Sequence, residues 1–465
     1  MDRKAQVLDK LKGVIDPDLG KDIVTLGFVK DLNIDDTGNV SFNLELTTPA
    51  CPVKDQFRAS CEELLGELDW VGDVAVTMTA QQRKKPAQSG NGLSQVRHII
   101  AVASCKGGVG KSTVAVNLAF TLSRMGAAVG IFDADVYGPS LPTLVNAPFH
   151  GLFQDGDSII PVEHDGVKLM SFAYAAAPQG EGRPAIMRGP MVSQVINQLL
   201  TGTGWGELDY LILDMPPGTG DIQLTVAQLV PMSAAVIVTT PQQISFVDVV
   251  KGVEMFDQLK IPTIAVVENM SYFMCGNCDT RHEIFGRGAR AKLINQYGFR
   301  NSFEIPVDAE ISALGDNGTP IVTVAPDSDI ATRYRELAEA TVREISRIAN
   351  SGDAKPEASY DPDGKISYRA SDGTEARIDP AELRRRCRCA HCIDEMTGDQ
   401  ILQPEQVPDD TTPRQIGTLG NYAITIDWSD GHSSIYPYDA LAFDADGDAD
   451  GPVADGDRAD LPERV

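Results

Sequence analysis

The stretch Ser104-Cys105-Lys106-Gly107-Gly108-Val109-Gly110-Lys111-Ser112-Thr113 constrains the fold of this chain more than any other. It follows the apolar run Ile99-Ile100-Ala101-Val102-Ala103 and leads into residues 114–122, whose apolar spacing suits a helix. A glycine-rich turn between a buried strand and a helix is the frame of a phosphate-binding loop. Glycines let backbone N–H groups close on phosphate oxygens with no Cβ in the way, and the helix N-terminus adds its positive dipole end. Lys111 is expected on the β- and γ-phosphates, and Ser112 offers its hydroxyl to Mg2+. The frame calls for an α/β fold with a mostly parallel sheet and ligands at the carboxyl ends of its strands.

Two further strand-like runs end in carboxylates, which suit Mg2+ and an attacking water. One delivers Asp133-Ala134-Asp135 and the other Asp214, followed by Pro216-Pro217-Gly218-Thr219-Gly220-Asp221. An acidic residue at a strand end is by itself more often a cap or turn former. Lys106 resembles the signature lysine of the deviant Walker A loop of the MinD/ParA class, which reaches a partner's nucleotide across a dimer interface. Cys105 departs from that pattern, which has glycine there. Asp214 resembles the Walker B aspartate, a Mg2+ ligand with Ser112, and Asp135 the switch aspartate near the attacking water. Lys106, Lys111, Asp135 and Asp214 are therefore the expected catalytic set.

Cys275-Gly276-Asn277-Cys278 follows the apolar stretch 264–270. Two thiolates at this spacing are an incomplete site, because a [4Fe-4S] cluster takes four thiolates and tetrahedral zinc four donors. A second chain would complete it across a two-fold axis. Dithiol redox chemistry and an inert pair of turn cysteines are the alternatives.

Cys105–Thr113, Asp133–Ser140, Arg188-Gly189-Pro190, Asp214–Asp221, and Glu268-Asn269-Met270-Ser271-Tyr272-Phe273 with the C-x-x-C together resemble the Mrp/ApbC iron-sulfur cluster carrier ATPases. The resemblance covers about residues 97 to 350. It implies a MinD-like fold, an ATP-dependent homodimer, and a transient [4Fe-4S] cluster bridged by Cys275 and Cys278 of two chains. It also implies an ATP site made of Cys105, Lys106, Gly107, Gly108, Val109, Gly110, Lys111, Ser112 and Thr113, with Asn269 on the adenine. Apo iron-sulfur proteins and a cluster assembly scaffold would be the partners.

The 465 residues suffice for about three domains. Polar, Gly- and Pro-containing stretches at 81–96 and 351–364 read as linkers, giving domains at 1–80, 97–350 and 365–443 and an acidic tail at 444–465. The net charge of −26 argues against nucleic acid and anionic membrane as partners and reads as adaptation to high salt. No stretch approaches the roughly 20 apolar residues of a membrane span, and the first residues lead into no signal-peptide core, so a cytoplasmic location is expected. Of the eight cysteines, five fall in one C-x-x-C and one C-x-C-x-x-C group, which suits metal binding in a reducing compartment.

Residues 1 to about 80 read as a small α+β domain, with helices at 6–14 and 56–65 and strands at 40–46 and 74–78. Val14–Gly20, Ile23–Gly27 and Thr47-Thr48-Pro49-Ala50-Cys51-Pro52 resemble the SufT-like domain of iron-sulfur assembly proteins, in which the cysteine of this turn is reactive. That points to Cys51, whereas Cys61 falls on the apolar face of its helix. In the C-terminal part, Cys387-Arg388-Cys389-Ala390-His391-Cys392 precedes residues 422–432, which read as a strand ending in His432. Three thiolates and an imidazole make a closed tetrahedral set. The segment resembles the N-terminal domain of gamma-butyrobetaine hydroxylase-like proteins, which implies a β-rich domain with structural Zn2+ on Cys387, Cys389, Cys392 and His432; a cluster is the alternative, and His391 is the competing nitrogen donor. Against a cluster carrier stand two other classes. A nucleotide-gated positioning or partition module would want a basic tail or surface. A reductase related to nitrogenase iron protein would keep its cluster.

Overall fold

Eight strands form the central sheet, in the order Val162–His164, Val167–Ser171, Val129–Asp133, Leu208–Asp214, Val96–Ala103, Ala234–Thr239, Thr263–Asn269 and Ser302–Ile305. Only the edge strand Val162–His164 runs antiparallel. Val129–Asp133, Leu208–Asp214, Ala234–Thr239 and Thr263–Asn269 are buried along their whole length and Val96–Ala103 from Ile99 onward, as continuous apolar runs require when helices cover both faces. The computed structural model describes residues 2–17, 19–80, 91–148, 151–156, 158–176, 189–218, 220–286, 299, 301–350, 357–369, 375–389, 391–393, 399–419, 423–438 and 441. Residues 81–90 and 351–356 of the expected linkers, the motif residues Arg188 and Thr219, and the acidic tail lie outside them, whereas the linker residues Gly92–Gln95 form a short helical turn and Glu357–Tyr360 a strand.

The helix Lys111–Arg124 is buried from Val114 to Leu122 against the middle of the sheet. The long helix Asp329–Asn350 adds Tyr334, Leu337, Ala338 and Val342 to the same core. Among the described residues no helix is long and apolar enough to cross a membrane.

The N-terminal part is built on Val29–Ile34, Val40–Leu46 and Val74–Ala80. The last two pair in parallel through the crossover helix Lys54–Gly66, which buries Phe57, Cys61 and Leu65. The first helix spans Arg3–Leu11, three residues earlier at its start than the apolar spacing suggests, because Asp2 caps it by accepting from the Lys4 N–H. Cys61 is a core residue whose burial pushes its thiol up to about 12.

This part packs directly on the large sheet. The Tyr210 hydroxyl hydrogen-bonds Thr48 Oγ1 at 2.9 Å, Lys54 Nζ donates to the Met125 carbonyl at 3.3 Å, and Ala50 belongs to the sheet's core.

The described residues fall into two units, 2–350 and 357–441. The second contains two three-stranded antiparallel sheets, Glu357–Tyr360 with Ile366–Arg369 and Glu375–Ile378, and Pro413–Leu419 with Ala423–Trp428 and Ser433–Pro437. They share one core with Leu383, Cys387 and Cys392.

Candidate functional site

Parallel register brings the carboxylates together. Asp214 is the cross-strand partner of both Asp133 and Val102, so two strand-end carboxylates lie beside the phosphate loop that leaves Ala103. Backbone bonds from Met215 N–H to Val102 O and from Gly218 N–H to Ser104 O, at 3.0 and 2.9 Å, tie the segment after Asp214 to that loop.

Gly110 closes the loop at φ +82°, a left-handed conformation that strains other residues. A Cβ there would come 2.2 Å from Asn269 Nδ2, which donates to the Val109 carbonyl at 2.8 Å. Asn269, expected on the adenine, thus braces the loop from the end of a strand two places along the sheet. The Cys105 departure also has a structural counterpart. Its sulfur lies 2.8 Å from where a Cβ at Gly252 would sit, so the glycine in helix Gln243–Gln258 makes room for the thiol.

Lys111 is buried and pairs with Asp214, its Nζ also lying 3.2 Å from Ser112 Oγ. Burial raises the Asp214 carboxyl pKa, against the pull of the Lys111 ammonium. Asp133 is pushed up to about 7 by burial and by the charge of Asp214. It nevertheless accepts from the N–H groups of Asp135, Ser140 and Leu141 and from the Ser171 hydroxyl at 3.0–3.2 Å. Asp135 takes the Tyr137 and Gly138 N–H groups at 3.2 and 3.1 Å. The two aspartates of Asp133-Ala134-Asp135 therefore differ: Asp133 is the buried anchor of the segment, and Asp135 is the half-exposed one. Asp133→Asn should cost about 2 kcal/mol, because a carboxamide sets an NH2 group against N–H donors. Urea denaturation measures it, and an unchanged midpoint would refute the anchor.

Cys51 lies away from this cluster. Its turn docks through Thr48 near Tyr210, four residues before Asp214 on the same strand, which is about 13 Å along an extended chain.

The C-x-x-C lies on a hairpin pairing Phe273–Met274 with Arg281–His282. Cys275 is half-buried and Cys278 exposed. Hydrogen bonding with Thr280, Cys275 and His282 pulls the Cys278 thiol down to about 7, so a substantial share is thiolate near neutrality. The exposed apolar side chains Phe273, Met274, Ile284 and Phe285 flank the pair. His282 was not singled out from the sequence; its ligand atom lies within 4.8 Å of both sulfurs. The spacing C-x2-C-x3-H was the available signal.

The second unit brings Cys387, Cys389, Cys392 and His432 together. The three sulfurs lie 3.4, 3.4 and 3.8 Å from His432 Nε2. With zinc–sulfur and zinc–nitrogen bonds of roughly 2.3 and 2.0 Å, a tetrahedral ion spaces such ligands about 3.6 Å apart. The donor set therefore fits zinc as it stands. Arg384 Nη1 donates to Cys392 Sγ at 3.5 Å while its Nε donates to Asp430 at 2.9 Å, and Ser434 Oγ donates to Cys387 Sγ at 3.1 Å. Burial raises the Cys387 thiol, pushes Cys392 up to about 12 and lowers His432. His432 sits in the turn entering Ser433–Pro437 rather than at the end of Ala423–Trp428, because the chain reverses at Gly431 (φ +86°). His391 is exposed and outside the set.

Three family models match the chain. Residues 95–342 match the NUBPL iron-transfer P-loop NTPases, residues 4–78 the iron-sulfur cluster assembly proteins, and residues 363–442 the N-terminal part of gamma-butyrobetaine hydroxylase-like proteins. The Fe-S cluster assembly factor HCF101, chloroplastic, of Oryza sativa subsp. japonica is 51% identical over 448 residues, 95% of this chain and 82% of that protein. The iron-sulfur cluster carrier protein of Synechocystis is 42% identical over 355 residues, 74% of this chain and 98% of that protein. A nucleotide-binding protein from Archaeoglobus fulgidus, solved in complex with ADP, is 36% identical, covering 52% of this chain and 93% of that one with a TM-score of 0.46. Matched by the family model over more than half its length and by a relative over nearly all of it, the chain belongs to the iron-transfer P-loop NTPases, together with proteins named as iron-sulfur cluster carriers and assembly factors.

Proposed function

We propose that the protein binds and hydrolyses ATP as a homodimer and carries a [4Fe-4S] cluster between the Cys275 and Cys278 pairs of two chains, delivering it to apo-proteins. The observation that carries this reading is the exposed hairpin. It presents two thiols, one of them partly ionised near neutrality, inside an apolar rim of the kind that marks contact surfaces. Two such hairpins supply the four thiolates that a cluster takes. The kinship with carriers and assembly factors supports iron-sulfur cargo over partition or positioning.

At the nucleotide site, Ser112 and Asp214 would hold Mg2+, which supplies charge neutralisation on the phosphates. Lys111 now serves as counter-ion to Asp214. Binding requires its ammonium to turn to the phosphates. Asp135, half-exposed beside the buried Asp133, would orient the attacking water, and Lys106 would reach the partner's nucleotide. Asn269, already on the loop, would take the adenine. In the second unit Cys387, Cys389, Cys392 and His432 would hold structural zinc.

The test is anaerobic reconstitution with iron and sulfide, followed by transfer to an apo-protein with and without ATP. About four irons per two chains are expected, lost in Cys275→Ala/Cys278→Ala while zinc persists. Iron that instead follows Cys387, Cys389 and Cys392 would sink the reading.

A further inference from the structure

A [4Fe-4S] cluster shared between two C-x-x-C pairs makes no use of His282, yet the fold turns this histidine toward them. Phe273 and His282 are cross-strand partners, and the turn between the strands is closed by Cys275 N–H to Thr280 O at 3.0 Å and Asp279 N–H to Cys275 O at 2.8 Å. Asp279 takes the left-handed φ of +52° that a tight reversal needs. The neighbouring Arg281 is held elsewhere: its guanidinium lies 4.1 Å from the Tyr272 ring centroid and reaches Glu304 at 3.0 Å and Glu283 at 3.3 Å. Successive side chains of a strand point to opposite faces. Fixing Arg281 on Tyr272 and Glu304 therefore sends His282 to the other face. There its ligand nitrogen and the two sulfurs lie within 4.8 Å of one another.

We infer that one chain by itself binds a single thiophilic divalent ion, such as Fe2+ or Zn2+, through Cys275 Sγ, Cys278 Sγ and a ring nitrogen of His282. Two thiolates and an imidazole are a soft-to-borderline set suited to these ions, and three protein ligands leave a tetrahedral position open. The exposure of Cys278 and His282 gives the ion direct access from solvent. Assembly of the two-chain site would replace His282 with sulfur, so the single ion and the cluster are alternative occupants of the same thiolates. The inference rests on reading Cys275 and Cys278 as metal thiolates.

The test is anaerobic titration of the full chain with Co2+, whose visible bands report tetrahedral geometry and whose near-ultraviolet band reports thiolate ligation. Subtracting the Cys275→Ser/Cys278→Ser spectrum removes the contribution of the Cys387 site. The expected difference is one Co2+ per chain, independent of protein concentration, and weakened at least about tenfold by His282→Ala, since even supporting residues of metal sites cost that much. Cluster content after reconstitution should be unchanged in His282→Ala. His282 is exposed, and unaltered circular dichroism and ATP binding would verify folding. Equal affinity and spectrum in His282→Ala would overturn the inference while leaving the thiolate reading intact. Half an ion per chain, rising with protein concentration, would also overturn it. No difference between the full chain and Cys275→Ser/Cys278→Ser would remove the thiolate reading as well.

Discussion

Lys111→Ala should lower ATP affinity by about 10- to 100-fold, since one charge-assisted contact to phosphate is worth about 1.5–3 kcal/mol and tenfold in affinity is about 1.4 kcal/mol. The same change strikes the unliganded protein. Lys111 is the buried partner of Asp214, and removing one member of a buried pair costs about 3–5 kcal/mol. Its pH dependence has a definite sign. Asp133 and Asp214 both titrate above an ordinary aspartate, Asp133 near 7, so between about pH 4 and 7 the folded state binds more protons than the unfolded one. Stability from this site is therefore greatest in acid and falls as pH rises through that window. Without the ammonium both carboxyls move up further, and the loss extends to higher pH. Urea denaturation at about pH 5 and about pH 8 should show Lys111→Ala closest to the parent at the lower pH. A deficit larger at pH 5 would contradict the assignment of Lys111 as counter-ion. Retained ATP affinity would remove it from the phosphate site.

His432→Ala, or strong chelation, should unfold the second unit. Its core is assembled from two three-stranded sheets around Cys387 and Cys392, so two of the zinc ligands are themselves core residues. A structural zinc contributes on the order of 10 kcal/mol to such folds. The burial-raised thiols make loading release protons, so zinc affinity should rise steeply with pH. Arg384 beside Cys392 would offset the net negative charge that three thiolates leave around a divalent ion. Zinc content together with proteolysis of residues 357–441 measures the effect. Retained zinc and protection in His432→Ala would refute it. ATP binding should survive, since the phosphate loop belongs to the other unit.

Residues whose chemistry is local were legible. The loop from Cys105 to Thr113 is contiguous, and glycine, lysine and hydroxyl at those offsets have few other uses. Asp214 could be placed because a seven-residue apolar strand ends on it. Cys387, Cys389 and Cys392 announce a metal set by spacing alone. Asp133 was passed over for Asp135, because its donors Ser140, Leu141 and Ser171 come from 7 to 38 residues further on. The room that Gly252 leaves for Cys105 and the contact of Asn269 with Val109 cross between elements more than a hundred residues apart in the chain. Periodicity carries no trace of such pairings.

By itself, the sequence determined the identity of the chemical parts and the class of fold, because apolar runs with a glycine-rich turn permit little but a parallel sheet with a phosphate loop at its carboxyl edge. Tertiary structure decided which parts act together. Strand register placed Asp133 beside Asp214, the packing of Thr48 on Tyr210 set Cys51 away from the nucleotide loop, and the alternation of a two-residue strand turned His282 toward the thiols while Arg281 was held on Tyr272 and Glu304. The physical reason is that donors, acceptors and charges act over a few ångströms, a distance that only the folded chain defines.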